Sequence, residues 1–120
     1  MPKILIAEDD DAMREFLTQA LSRQGYAITA VANGADALDA MGDAEGCDLL
    51  LADIRMPGID GISLARCARR DFPKIPIVFV TGFANEILSE MDFAQNSVEI
   101  LPKPFRLAEL VTVVDRVLAA

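Results

Sequence analysis

The sequence predicts an α/β protein with a doubly wound parallel β-sheet covered by helices on both faces. Three observations predict it. Short apolar runs alternate along the chain with stretches of helical periodicity. The runs lack the polar alternation of a half-solvated sheet, so they read as strands buried on both sides. Several stop abruptly at acids or a hydroxyl, where an open α/β sheet places its functional groups.

Lys3-Ile4-Leu5-Ile6-Ala7 is the first strand and runs into Glu8-Asp9-Asp10-Asp11. Met13, Phe16, Leu17, Ala20, Leu21 and Gln24 then recur at helical spacing, and Gly25 supplies the stop. Ala27 to Val31 is the second strand, and Asn33-Gly34 turns the chain into a helix from about Ala35 to Met41. The third strand, Asp48 to Ala52, ends at Asp53. After the Met56-Pro57-Gly58 loop, Asp60-Gly61 opens a helix that runs to about Arg70. Pro73 and Pro76 bound the connection to the fourth strand, Ile77 to Val80, which ends at Thr81-Gly82. A weakly patterned helix is expected near Asn85 to Met91, followed by a fifth strand from Val98 to Leu101. Beyond Lys103-Pro104, a last helix carries Leu107, Leu110, Val111, Val114 and Leu118 on one stripe.

Five strands and five helices in 120 residues fit one domain spanning 1–120, with no output domain expected. With 52% hydrophobic residues the chain can bury a core without staples. A net charge of −8 argues against a nucleic-acid partner, since such binding is dominated by cations meeting phosphates. Histidine is absent, which excludes imidazole bases, His-ligated zinc and a phosphohistidine of the chain's own. Cys47 and Cys67 show no metal-ligand spacing and suit a reduced pair. No run approaches a membrane span or a signal h-region, so no membrane role and a cytoplasmic location are expected.

The strand ends carry the chemistry. Glu8 and Asp9 follow the first strand, Asp53 the third, Thr81 closes the fourth and Lys103 follows the fifth. Singly, each has an ordinary explanation: Asp10 or Asp11 can cap a helix, Asp53 a loop, and Lys103 can be surface charge. Together they place acids, a hydroxyl and an ammonium at one sheet edge. Oxygen-only donors of this kind suit a hard divalent cation such as Mg²⁺.

Glu8-Asp9, Asp53 with Met56-Pro57 and Asp60-Gly61, Thr81-Gly82 and Lys103-Pro104-Phe105 resemble the receiver domain of bacterial response regulators over essentially the whole chain. The resemblance implies the flavodoxin-like strand order 2-1-3-4-5. It also implies that Asp53 accepts a phosphoryl group with Mg²⁺ as cofactor. Asp9 would bind the metal directly, Glu8 mainly through metal-bound water, and the backbone carbonyl of Arg55 would complete the protein's ligands beside Asp53. Lys103 would pair with a phosphoryl oxygen, and Pro104 would follow a cis bond. Thr81 would swing inward on phosphorylation. One departure stands out: three residues before the lysine, where the family often has an aromatic, this chain has Ile100. Phe83 is expected to screen attacking water, and Phe83→Ala to speed dephosphorylation.

The resemblance further implies a phosphoryl donor, either a sensor histidine kinase or a histidine phosphotransferase, and a downstream protein target. Ile6-Ala7-Glu8-Asp9-Asp10 and Thr81-Gly82-Phe83-Ala84 are similar to a stand-alone receiver that serves a protease, which suggests an adaptor for an AAA+ protease. The alternative is a phosphotransfer intermediate or phosphate sink. No enzyme activity beyond the chain's own phosphorylation and autodephosphorylation is expected. A D-x-D phosphatase is disfavoured because Asp53-Ile54-Arg55 carries arginine at the third position. Flavodoxin-like cofactor binding lacks its phosphate loop. Three features stay open: the Leu118-Ala119-Ala120 end, either a degradation tag or a helix end; Val113 and Val117, either core or a docking face; and Arg66, Arg69 and Arg70, either a solvated face or a contact for an acidic partner.

Overall fold

A computed structural model describes residues 1–43, 46–82 and 98–119. Its elements are β1 (Lys3–Ala7), α1 (Asp11–Ser22), β2 (Ala27–Val31), α2 (Gly34–Met41), β3 (Leu49–Ala52), α3 (Gly61–Asp71), β4 (Ile77–Thr81), β5 (Val98–Pro102) and α4 (Leu107–Ala119). The strands form one parallel sheet in the order β2-β1-β3-β4-β5, the doubly wound flavodoxin-like arrangement. Four helices lie among the described residues, not five. The helix expected near Asn85 to Met91 falls outside them, as do Phe83, Ala84 and Ala120.

Alternate side chains of each strand point to opposite faces and divide the core in two. On one face Leu5, Leu50, Ile77 and Phe79 pack against Met41 of α2 and Leu64, Ala65 and Ala68 of α3. On the other, Ile4, Ile6, Leu49, Leu51, Val78 and Val80 pack against Leu17 and Leu21 of α1 and Leu110 and Val114 of α4. The unbroken apolar character of β3 and β4 has its counterpart in complete burial. β2 and β5 are sheet edges, so they remain partly exposed despite similar composition.

Local chemistry sets the helix starts. Asp10, Asn33 and Asp60 each turn a side-chain oxygen onto a backbone N–H three residues later, at 3.1, 2.8 and 2.8 Å. Asp10, not Asp11, therefore caps α1. At α4 the Glu109 carboxylate accepts from the Arg106 N–H at 3.0 Å.

Several expected stripe members differ. Gln24 lies beyond the end of α1, whose chain turns at Gly25 with φ +95°. Phe16, at the edge of the buried stripe of α1, and Leu107, the first residue of α4, are exposed. Val113 and Val117 pack partly buried against the α1–α4 core. The basic cluster on α3 is not uniformly solvated: Arg69 is half-buried and donates to the carbonyls of Pro73 (2.7 Å) and Ile75 (3.0 Å). Both cysteines are free thiols, and burial pushes Cys47 up to about 11. Among the described residues no helix is long and apolar enough to cross a membrane.

Candidate functional site

The site lies at the carboxyl edge of the sheet, where β1, β3 and β4 are consecutive neighbours and β5 flanks them. The parallel ladder runs past the strands and delivers each residue. The N–H of Glu8 donates to the carbonyl of Val31 (3.0 Å), that of Asp53 to Ala7 (3.1 Å) and that of Lys103 to Thr81 (2.8 Å). Side chains that follow different strands by one residue are thus held at a common height. The Lys103–Pro104 peptide is cis, as expected.

Glu8, Asp9 and Asp53 each offer a carboxylate oxygen, and the three atoms lie within 4.8 Å of one another. Glu8 is 1% exposed and Asp53 9%, whereas Asp9 faces solvent. The Lys103 ammonium donates to Glu8 Oε1 at 3.1 Å and to Asp53 Oδ2 at 2.9 Å. Each carboxylate's other oxygen accepts from the backbone: Glu8 Oε2 from the Asp10 N–H (3.3 Å) and Asp53 Oδ1 from the Ile54 N–H (2.7 Å). Both buried carboxylates are therefore pinned from two sides.

Burial raises the Glu8 carboxyl above its ordinary value; the hydrogen bond from Lys103 opposes this and the charge of Asp53 adds to it. Burial alone would lower Lys103, but its hydrogen bonds to Asp53 and Glu8 outweigh that and raise it. One ammonium against three carboxylates leaves the cluster short of positive charge. An all-oxygen set of this kind, partly buried and open at Asp9, fits a hard divalent cation that keeps several waters, such as Mg²⁺.

Thr81 is fully buried at the end of β4, beside Lys103 through the backbone bond already described. Arg55 lies two residues past Asp53 with an exposed side chain and shares a cleft with Asp9, Met56, Pro57 and Asp60. Ile100 is half-buried opposite Phe79 and packs into the α2–α3 core. Phe105 packs on the other face, its ring 6.3 Å from that of Phe16.

Two further residues shape the site: Gly61, read in the sequence only as part of a helix start, and Arg14, not singled out there. Gly61 lies so close to the acceptor strand's end that a Cβ there would fall 2.1 Å from the Asp53 carbonyl oxygen. Arg14 reaches back from α1 to the Glu8 carbonyl at 3.0 Å. A cation in the first turn, where the helix dipole disfavours it, was the available signal for Arg14.

The response regulator receiver domain family matches residues 4–115. The response regulator receiver protein CpdR of Brucella abortus (strain 2308) is 44% identical over 120 residues, covering 100% of this chain and 99% of that protein. The DNA-binding transcriptional regulator NtrC of Escherichia coli (strain K12) is 33% identical over 116 residues. Those residues cover 97% of this chain and 24% of NtrC, so the chain spans about a quarter of that relative. Among solved structures, the response regulator TrrA of Thermotoga maritima, in complex with Mg²⁺-BeF, superposes with a TM-score of 0.85 at 30% identity. That likeness covers 98% of this chain and 99% of TrrA.

Proposed function

Since this chain belongs to the response-regulator receiver domain family of two-component signalling, we propose that it is a phosphorylation switch with Asp53 as its phosphoryl acceptor. The observation that carries this reading is the Lys103 ammonium bridging Glu8 and Asp53 where three different strands end. The reaction transfers a phosphoryl group from a phosphohistidine of a sensor kinase or histidine phosphotransferase. A carboxylate oxygen of Asp53 attacks phosphorus, the P–N bond breaks, and its electron pair returns to the donor imidazole.

Receiver domains bind Mg²⁺ at an acidic pocket, and Glu8, Asp9, Asp53 and the Arg55 carbonyl are the groups that would hold it here. When bound, the ion neutralises the repulsion between an attacking carboxylate and an anionic phosphoryl group. Lys103 supplies a compact positive charge to a phosphoryl oxygen. The backbone N–H of Ile54 fixes the orientation of the Asp53 carboxylate by holding Oδ1. Thr81, buried next to Lys103, supplies the hydroxyl that closes on the phosphoryl group and moves the surrounding loops.

The output is an interaction with a protein in the cytoplasm. The full-length likeness to CpdR supports a single-domain regulator, and the resemblance seen in the sequence points to an adaptor for an AAA+ protease.

Beryllofluoride, a phosphoryl mimic, tests the acceptor role by amide NMR with Mg²⁺ in wild type and Asp53→Ala. Saturable, Mg²⁺-dependent shifts around Asp53, Thr81 and Lys103 in wild type alone are expected. No shifts, or the same shifts in the variant, would overturn the reading.

A further inference from the structure

The Arg14 side chain reaches back to the acidic turn at the residue before Asp9. Its guanidinium Nη1 donates to the carbonyl of Glu8 at 3.0 Å, whereas its backbone N–H makes the ordinary first bond of α1, to the carbonyl of Asp10 at 2.9 Å. Nη2 is steadied by Asp11 Oδ1 at 2.5 Å. The ion pair itself contributes little, because Asp11 is 91% exposed. Four successive acids repel one another, and a cation near the amino end of a helix opposes its dipole. What Arg14 gains there is the strand-end carbonyl, on the residue whose N–H is already tied to Val31.

We propose that Arg14 is a positioning residue for the divalent cation. It fixes the Glu8 carbonyl, and with it the peptide that enters Asp9, so that this exposed carboxylate meets the ion in one orientation. The inference rests on the Mg²⁺ site proposed above. Charge and geometry make opposite predictions. As a mere positive charge near the site, Arg14 repels Mg²⁺, and its removal strengthens binding. As a positioning group, its removal weakens binding by about tenfold, the scale of groups that orient metal ligands.

The experiment is a calorimetric Mg²⁺ titration of wild type, Arg14→Met and Arg14→Lys, with melting temperatures recorded alongside. Arg14→Met keeps the apolar stem and removes the donors; Arg14→Lys keeps the charge and one donor. The expected result is an Mg²⁺ Kd about tenfold higher in Arg14→Met, partly restored in Arg14→Lys, with both variants folded. An unchanged or lower Kd in Arg14→Met overturns the inference while leaving the Mg²⁺ site standing. Should Arg14→Met fail to fold, Arg14→Lys decides alone: a Kd raised severalfold supports the positioning role, and a wild-type Kd overturns it. Wild-type protein that binds no Mg²⁺ overturns both readings.

Discussion

Glu8 is a carboxyl group with almost no exposure beside a second carboxylate, and its folded-state pKa lies above its ordinary value. A raised carboxyl pKa favours the folded state below about pH 4.5, and that advantage is lost as pH rises through the folded value. In metal-free protein at pH 7, Glu8→Gln should therefore raise the melting temperature. The gain should vanish in melts at pH 4. Lys103 has the same direction of shift, so its stabilisation is present below about pH 10.5 and fades above that. Lys103→Met leaves two buried carboxylates facing each other. It should lower the metal-free melting temperature by about 5 °C and tighten Mg²⁺ binding in the same calorimetric titration. The acids and the lysine were legible in the sequence because each ends an apolar run. Arg14 was not, since its role depends on a carbonyl six residues back that only the turn at the end of β1 brings within reach.

Capping and close approach decide how the elements meet the site. α3 begins against the backbone that carries Asp53: the Gly61 N–H donates to the Ile54 carbonyl at 2.7 Å, and no space remains for a Cβ. Gly61→Ala should destabilise the protein by about 3 kcal/mol in urea denaturation, the upper end of overpacking costs. Removing the α3 cap with Asp60→Ala should cost about 1 kcal/mol in the same assay and leave the acceptor's amide shifts near their wild-type positions. The Asp60-Gly61 pair was readable as a helix start, but the reason for glycine was not. It lies in the packing of a helix terminus on a strand end, which sequence spacing does not encode. Likewise, β2 and β5 look like interior strands by composition, and only the sheet order makes them edges.

Across the whole molecule, the Tyr26 hydroxyl donates to the Asp115 carboxylate and links the α1–β2 connection to α4. The hydrogen bond, with burial and the Asp115 charge, pushes Tyr26 up to about 12. Its contribution is present below about pH 10 and is lost as pH rises through 12. Tyr26→Phe should cost about 1 kcal/mol at pH 7 by urea denaturation. The strand order was legible only through resemblance, because alternating elements permit several windings and local pattern does not choose among them. The site at the carboxyl rim followed from strand polarity, and at the opposite rim the α3–β4 connection turns back into the sheet. There Arg69 clasps the exposed Pro73–Lys74 turn from below. A linker attached at Lys74 would anchor the protein to a chip with its chemistry facing outward, so a biosensor could be built on this chain without altering what it senses.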